Sequence, residues 1–173
     1  MLKEKQSQST GNRGSVGDAP YGHGIEFALY IIYFILSFME DCIFCKIVRG
    51  EIPSFKVYED ANVLAFLDIH PTNPGHTLVV PKIHAENIFE ISSESWSQVM
   101  ETARKLSITI ENALDAKGIN LMMNNREHAG QVVDHVHVHI VPRFTGDAHR
   151  QWSQSSYKDG EAEKILDKIR KGL

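Results

Sequence analysis

Cysteine is scarce in this chain of 173 residues. There are two, both in the stretch CIFC as Cys42 and Cys45. That excludes the disulfide framework of a small secreted domain and leaves a redox dithiol or half of a metal site. Basic residues are not in excess either. Lys and Arg number 18 against 22 Asp and Glu, a net charge of −4 with His neutral. Such a balance carries no electrostatic footprint for long nucleic acid, although a small anionic ligand needs only a local site. A membrane-spanning helix wants ~20 apolar residues. The apolar stretch IEFALYIIYFILSFM, residues 25–39, has thirteen uncharged residues between Glu26 and Glu40. No small-residue cleavage site follows it, so it does not fit a signal peptide. No internal repeat is visible.

The rest of the composition is ordinary for a globular protein with one buried core: 42% hydrophobic and 23% charged residues. The first 24 residues, rich in Ser, Gly and Gln, read as disordered. Three readings fit the apolar run after them: an artefact of an upstream start codon, with Met39 the functional start; an apolar extension packed on the domain; or a weak membrane anchor. The abrupt change of composition at MEDCIFCKI favours the first. The division expected is therefore an atypical extension over 1–38 and one domain over 39–173, located in the cytoplasm.

Beyond residue 40 the pattern is regular. CIFCKIVRGEIPS reads as a helical turn ending at Gly50. FKVYED and NVLAFLDI read as strands about a turn at Asp60–Ala61, and HTLVVPK as a third. SSESWSQVMETARKLSITIENALDAKG reads as a long amphipathic helix. Trp96, Val99, Ala103, Leu106, Ile110 and Leu114 recur every three to four residues, and Gly118 is the expected stop. INLMMNN and HVHVHIVPR supply two more strands, and EAEKILDKIRK a short closing helix. One long helix among strands with short links predicts an α+β fold built on an antiparallel meander.

Histidine is abundant, with nine in all. In DHVHVHIVPR, His135, His137 and His139 alternate with valines, which on a strand lines three imidazoles along one face. Such a row has poor β-propensity and repels itself when protonated. Solvent exposure on an edge strand is the bland alternative. Metal binding, phosphate chemistry or both explain the row better.

HVHVHIV resembles the signature of the histidine triad (HIT) superfamily of nucleotide hydrolases and transferases. VYEDANVLAFLDIHPTNPGHTLVVPKIH and NNREHAGQVVDHVHVHIVPR resemble its two halves, in the right order, and the CIFCKI start is similar to bacterial zinc-containing members near the nucleoside phosphoramidase branch. The resemblance implies a HIT-like fold: a five-stranded antiparallel sheet with one long helix, joined as a homodimer through a continuous ten-stranded sheet. It implies that His137 attacks the α-phosphorus of a purine nucleotide such as an AMP derivative, forming a nucleotidyl-histidine that water hydrolyses. A backbone carbonyl on the triad strand would accept the other ring N–H of His137. His139 and His76 would bind phosphate oxygens, Asn124, Gly130 and Gln131 would lie at the phosphate, and Asp68 would bind the ribose hydroxyls. Ile43, Phe44, Phe66 and Ile69 would line the base pocket, a role for which plain core packing is an equal alternative. Structural zinc would be held by Cys42, Cys45, His84 and His135, unless the two thiols stay metal-free or form a redox pair. The family commonly has Ser or Thr two residues after the glycine of GQ, and here Val132 stands there, which bears on the leaving group. A dinucleoside polyphosphate hydrolase, or a zinc-stabilised nucleotide-binding module with incidental activity, would carry nearly the same motifs.

Overall fold

A computed structural model describes residues 42–147 and 156–172. The extension over 1–38 and its apolar run lie outside the described residues.

The chain opens with α1 (Ile43–Val48), whose N-cap is Cys42; the Cys42 sulfur receives the Cys45 N–H at 3.5 Å. Gly50 follows in the left-handed region, φ 77°. Next come β1 (Lys56–Glu59) and β2 (Val63–Leu67). In the turn between them the Asp60 carboxylate accepts the N–H groups of Asn62 and Val63, both at 2.8 Å. β3 (Thr77–Pro81), α2 (Ser93–Leu114), β4 (Gly118–Met122), a 3-10 turn (Glu127–Ala129), β5 (Val138–Arg143) and α3 (Glu161–Arg170) complete the described elements.

The five strands form one antiparallel sheet in the order β1-β2-β3-β5-β4. Only the first three make the expected meander. β5 inserts between β3 and β4, so the triad strand is interior rather than an edge. Its ladder begins at Val138, not at His135; His135 and His137 lie on the approach to the strand. α2 also ends earlier than expected. Asp115, with φ 53°, is its left-handed stop, and the Asp115 N–H bonds the Glu111 carbonyl. Asp tolerates that conformation better than most residues, and Gly118 instead begins β4.

Alternation along the strands divides the molecule into two layers. Val63 and Ala65 of β2, Val79 of β3, and Val138 and Ile140 of β5 pack with Val99, Ala103, Leu106 and Ile110 of α2. Leu64, Phe66, Leu78 and Val80 face the other way and pack with Phe44 and Ile47 of α1. Since Val138 and Ile140 point at α2, His139 points to the α1 side. The histidine-bearing face of β5 thus lies under α1, and the β5 residues that the long helix covers, Val138 and Ile140, are apolar. Among the described residues no helix is long and apolar enough to cross a membrane.

Candidate active site and metal centre

Ring hydrogen bonds fix which nitrogen carries the proton in His76, His135, His137 and His139. His137 Nδ1 lies 2.6 Å from the His135 carbonyl. A carbonyl only accepts, so Nδ1 holds the hydrogen and Nε2 presents a lone pair. This is the arrangement the resemblance implies for a nucleophile. Burial holds the His137 imidazole below its ordinary pKa, opposed by the His135 carbonyl and by the charge of Asp68, so the ring is neutral near pH 7.

A second chain of bonds orders the neighbouring pair. The Thr72 N–H points at His76 Nδ1 at 3.2 Å, making that nitrogen an acceptor. His76 Nε2–H therefore donates to His139 Nδ1 at 2.9 Å, and His139 is left with Nε2–H as a free donor. The His137 and His139 rings meet edge to face, 4.9 Å between centroids. Burial, with His137 and His76 close by, pushes His139 down to about 4, and burial lowers His76 against the pull of Asp68. A bare ring nitrogen thus stands beside a neutral hydrogen-bond donor.

The loop carrying His76 is held from three sides. Its N–H bonds the Asn73 carbonyl at 3.0 Å, and its carbonyl accepts the Asp68 N–H at 2.9 Å. The Asn73 amide donates to the Pro142 carbonyl at 2.8 Å and to Asp147 at 2.9 Å, and Asp147 pairs with Arg143 at 2.7 Å. Asp68 places one oxygen on the His70 N–H at 2.8 Å and the other 3.6 Å from His76 Nδ1. Sequence reasoning missed Thr72, Asn73 and Asp147. The turn-rich HPTNPG marks the first two only as loop, and nothing in the sequence ties Asp147 to Asn73.

Gln131 is buried and acts as a hub. Its oxygen accepts the Arg126 N–H at 2.6 Å, and its amide donates to the carbonyls of Glu86 at 2.6 Å and Val133 at 2.9 Å. Asn124 donates to the Gly130 carbonyl at 3.2 Å, and Gly130 takes φ 86°. Arg126 also has positive φ, 70° with ψ 162°, a region costly for any side chain; strain is thus stored in the loop before the triad. Val132 is 92% exposed and helps line a cavity of about 300 Å³ with Cys42, Ile43, His84, Glu86, Val133 and Asp134. Of the four residues proposed for a base pocket, Phe44 and Phe66 are buried, while Ile43 and Ile69 are exposed.

The remaining cluster is Cys42, Cys45, His84 and His135, whose ligand atoms all lie within 4.8 Å of one another. His84 Nδ1 and His135 Nδ1 are 3.3 Å apart. The sulfur–nitrogen distances are 3.5 Å for Cys42–His135, 3.3 Å for Cys45–His84 and 3.6 Å for Cys45–His135. A tetrahedral ion with zinc's ordinary bond lengths requires edges of roughly 3.3 Å between nitrogens and 3.6 Å between nitrogen and sulfur. The four distances lie within about 0.3 Å of these edges, so the donor set fits zinc. His135 Nε2 sits 2.9 Å from the Pro81 carbonyl, so it carries the proton and Nδ1 is bare toward the cluster. Burial, then the neighbouring Cys42, pushes the Cys45 thiol up to about 12; a cation in the cluster is what would make it a thiolate.

Comparison with known proteins decides the family. The model of the HIT domain matches residues 49–146. The Bacillus subtilis "Protein hit" is 45% identical over 138 residues, 78% of this chain and 95% of that relative. The chain belongs to the HIT family. Within it, an adenosine 5'-monophosphoramidase of Schizosaccharomyces pombe is 47% identical over 102 residues, covering 59% of this chain and 74% of that protein. Among solved HIT structures, a Zn-bound histidine triad family protein from Mycobacterium smegmatis superposes with a TM-score of 0.62 at 30% identity, over 78% of this chain and 99% of that one. The five-stranded antiparallel sheet with its long helix is the HIT fold.

Proposed function

We propose that this HIT protein is a nucleotide hydrolase of the phosphoramidase kind, cleaving at the α-phosphate of purine nucleotide derivatives. The observation that carries the reading is the His137 tautomer, with Nδ1–H on the His135 carbonyl at 2.6 Å and Nε2 free. The Nε2 lone pair attacks the α-phosphorus, and the P–N bond breaks with its electron pair going to the amine, which takes a proton from solvent. Water then attacks the nucleotidyl-histidine and gives up a proton to solvent, and the His137 nitrogen leaves with its pair. His139 Nε2–H, backed by His76, donates to the phosphoryl oxygens as charge gathers on them. Asp68 takes the ribose hydroxyls, and Asn124, Gly130 and Gln131 shape the loop at the phosphate. Ile43, Phe44, Phe66 and Ile69 form the apolar side toward the base.

The reading includes zinc at Cys42, Cys45, His84 and His135. Bound there, zinc would supply a structural cross-link between α1, the turn after β3 and the approach to β5, with no chemistry on the substrate. It also includes a cytoplasmic homodimer, supported by β4 standing at the sheet edge with Leu121 and Met122 partly exposed. The test is turnover of an adenosine phosphoramidate, with mass spectrometry of protein quenched during reaction. AMP is expected on the peptide containing His137, and His137→Ala should lose nearly all rate while still binding AMP. Near wild-type turnover by His137→Ala ends this mechanism. Parallel kinetics on dinucleoside polyphosphates decide between the phosphoramidase and its polyphosphate-cleaving relatives.

A further inference from the structure

The metal cluster and His137 are joined by two physical links. The first is His135 itself. Its ring presents Nδ1 to Cys42, Cys45 and His84, while its backbone carbonyl accepts the His137 Nδ1–H at 2.6 Å. The ring is fully buried, and Pro81 holds its far nitrogen. One residue is therefore a candidate ligand on one side and the acceptor that fixes the His137 tautomer on the other. The second link is Phe44, which stands between the two cysteines on α1. Its ring lies edge-on to His135 at 6.0 Å, to His137 at 5.3 Å and to Phe66 at 5.5 Å between centroids. A helix of six residues is far too short to hold itself. Its N-cap, Cys42, and its buried Cys45 are both members of the cluster, so what holds the sulfurs also holds Phe44.

We propose that the Cys42–Cys45–His84–His135 centre is a positioning device for the nucleophile: metal occupancy fixes the tautomer and pose of His137 through the His135 carbonyl and the Phe44 ring, and so sets turnover. The inference rests on reading His137 as the nucleophile. With the metal gone, the His135 ring keeps only its bond to the Pro81 carbonyl, and its peptide can tilt. A hydrogen bond depends steeply on angle, so the His137 proton then divides between its two nitrogens. Every molecule with the proton on Nε2 lacks the attacking lone pair, and the remainder attack from a less defined pose. Phe44, besides its place toward the base, also acts through His137.

The experiment uses the full chain labelled with ¹⁵N, loaded with one zinc and then stripped by a chelator. Two-bond ¹H–¹⁵N correlations read the ring tautomer of His137 directly. Loaded protein should show a protonated Nδ1 and bare Nε2, and stripped protein averaged shifts. For an adenosine phosphoramidate, kcat should fall about tenfold on stripping with KM little changed, and zinc chloride should restore both signals. An unaltered His137 spectrum with unaltered kcat in fully stripped, folded protein overturns the proposal. If stripping unfolds the domain, Phe44→Leu carrying its full zinc decides. It should show the same tautomer averaging and loss of kcat, and a single tautomer with wild-type kcat overturns the proposal. A wild type that turns over no phosphoramidate would sink the functional reading instead, and the ring spectra would still answer the positioning question.

Discussion

Replacing Gly75 by alanine tests how the pocket is held, because this glycine immediately precedes His76. Its φ is 88°, and a Cβ built there falls 2.3 Å from Leu114 Cδ1 and 3.3 Å from Pro142 Cγ. The left-handed backbone alone costs an alanine roughly 1–2 kcal/mol. The overlap with Leu114 forces that side chain to move. Leu114 sits at the end of α2 and is 42% exposed, so it can swing outward at the loss of its remaining burial, about 1 kcal/mol. The expected destabilisation is therefore roughly 2–3 kcal/mol, read from the urea midpoint at fixed zinc. A double-mutant cycle separates the two parts. Leu114→Ala alone should cost about 1 kcal/mol, yet the double variant should be no less stable than Gly75→Ala, a coupling of about 1 kcal/mol. Strict additivity, or a Gly75→Ala cost below about 0.5 kcal/mol, would refute the reasoning.

Three other outcomes are expected. His139 stays neutral in the folded protein down to about pH 4 but titrates near its ordinary value of about 6.5 once unfolded. The unfolded state thus binds more protons between these values, so stability is full above the upper one and is lost as pH falls toward the lower. The drop in urea midpoint from neutral to mildly acidic pH should be smaller in His139→Gln, and an equal drop removes His139 from the account. Val132→Thr should speed hydrolysis of phosphoramidates with poor leaving amines several-fold, the worth of a hydrogen bond of ~1 kcal/mol, with little change for aryl oxide leaving groups. At 92% exposure the hydroxyl has no burial cost, so equal effects on both substrate types would detach this position from the leaving group. Untagged protein should contain one zinc per chain by elemental analysis and Cys45→Ser far less; full occupancy in Cys45→Ser would reject the proposed ligand set.

How much was legible follows from what is local. Period-two alternation placed His139 opposite Val138 and Ile140, and spacing marked Cys42 and Cys45 as a pair. The strands around Asp60 and the stripe from Val99 to Ile110 were equally readable. Gln131 was legible as a residue of the phosphate loop, but its hub role was not, because its partner carbonyl at Glu86 lies 45 positions away. The position of β5 between β3 and β4 depends on pairings such as Leu78 with His139, which no local pattern carries. Gly118 misled as a helix stop because an Asp three residues earlier can also adopt the left-handed turn. The start of the β5 ladder was misplaced for a related reason: alternation continues through His135 and His137, while their backbone bonds go to other partners. Val136, for one, donates to the Ala85 carbonyl at 2.7 Å.

The two-sided character of β5 bears on how this segment can vary. A slip of one residue in its pairing would exchange faces wholesale. The His139 imidazole would be pushed against the apolar side of α2, and Val138 and Ile140 would be delivered to the pocket. Burying that ring without a partner is costly enough to reject the slipped register during folding. Chains that fold at all therefore fold with His139 on the α1 side. Insertions or deletions within 135–140 should be lethal to folding and activity together, whereas swaps among Val136, Val138 and Ile140 trade only packing.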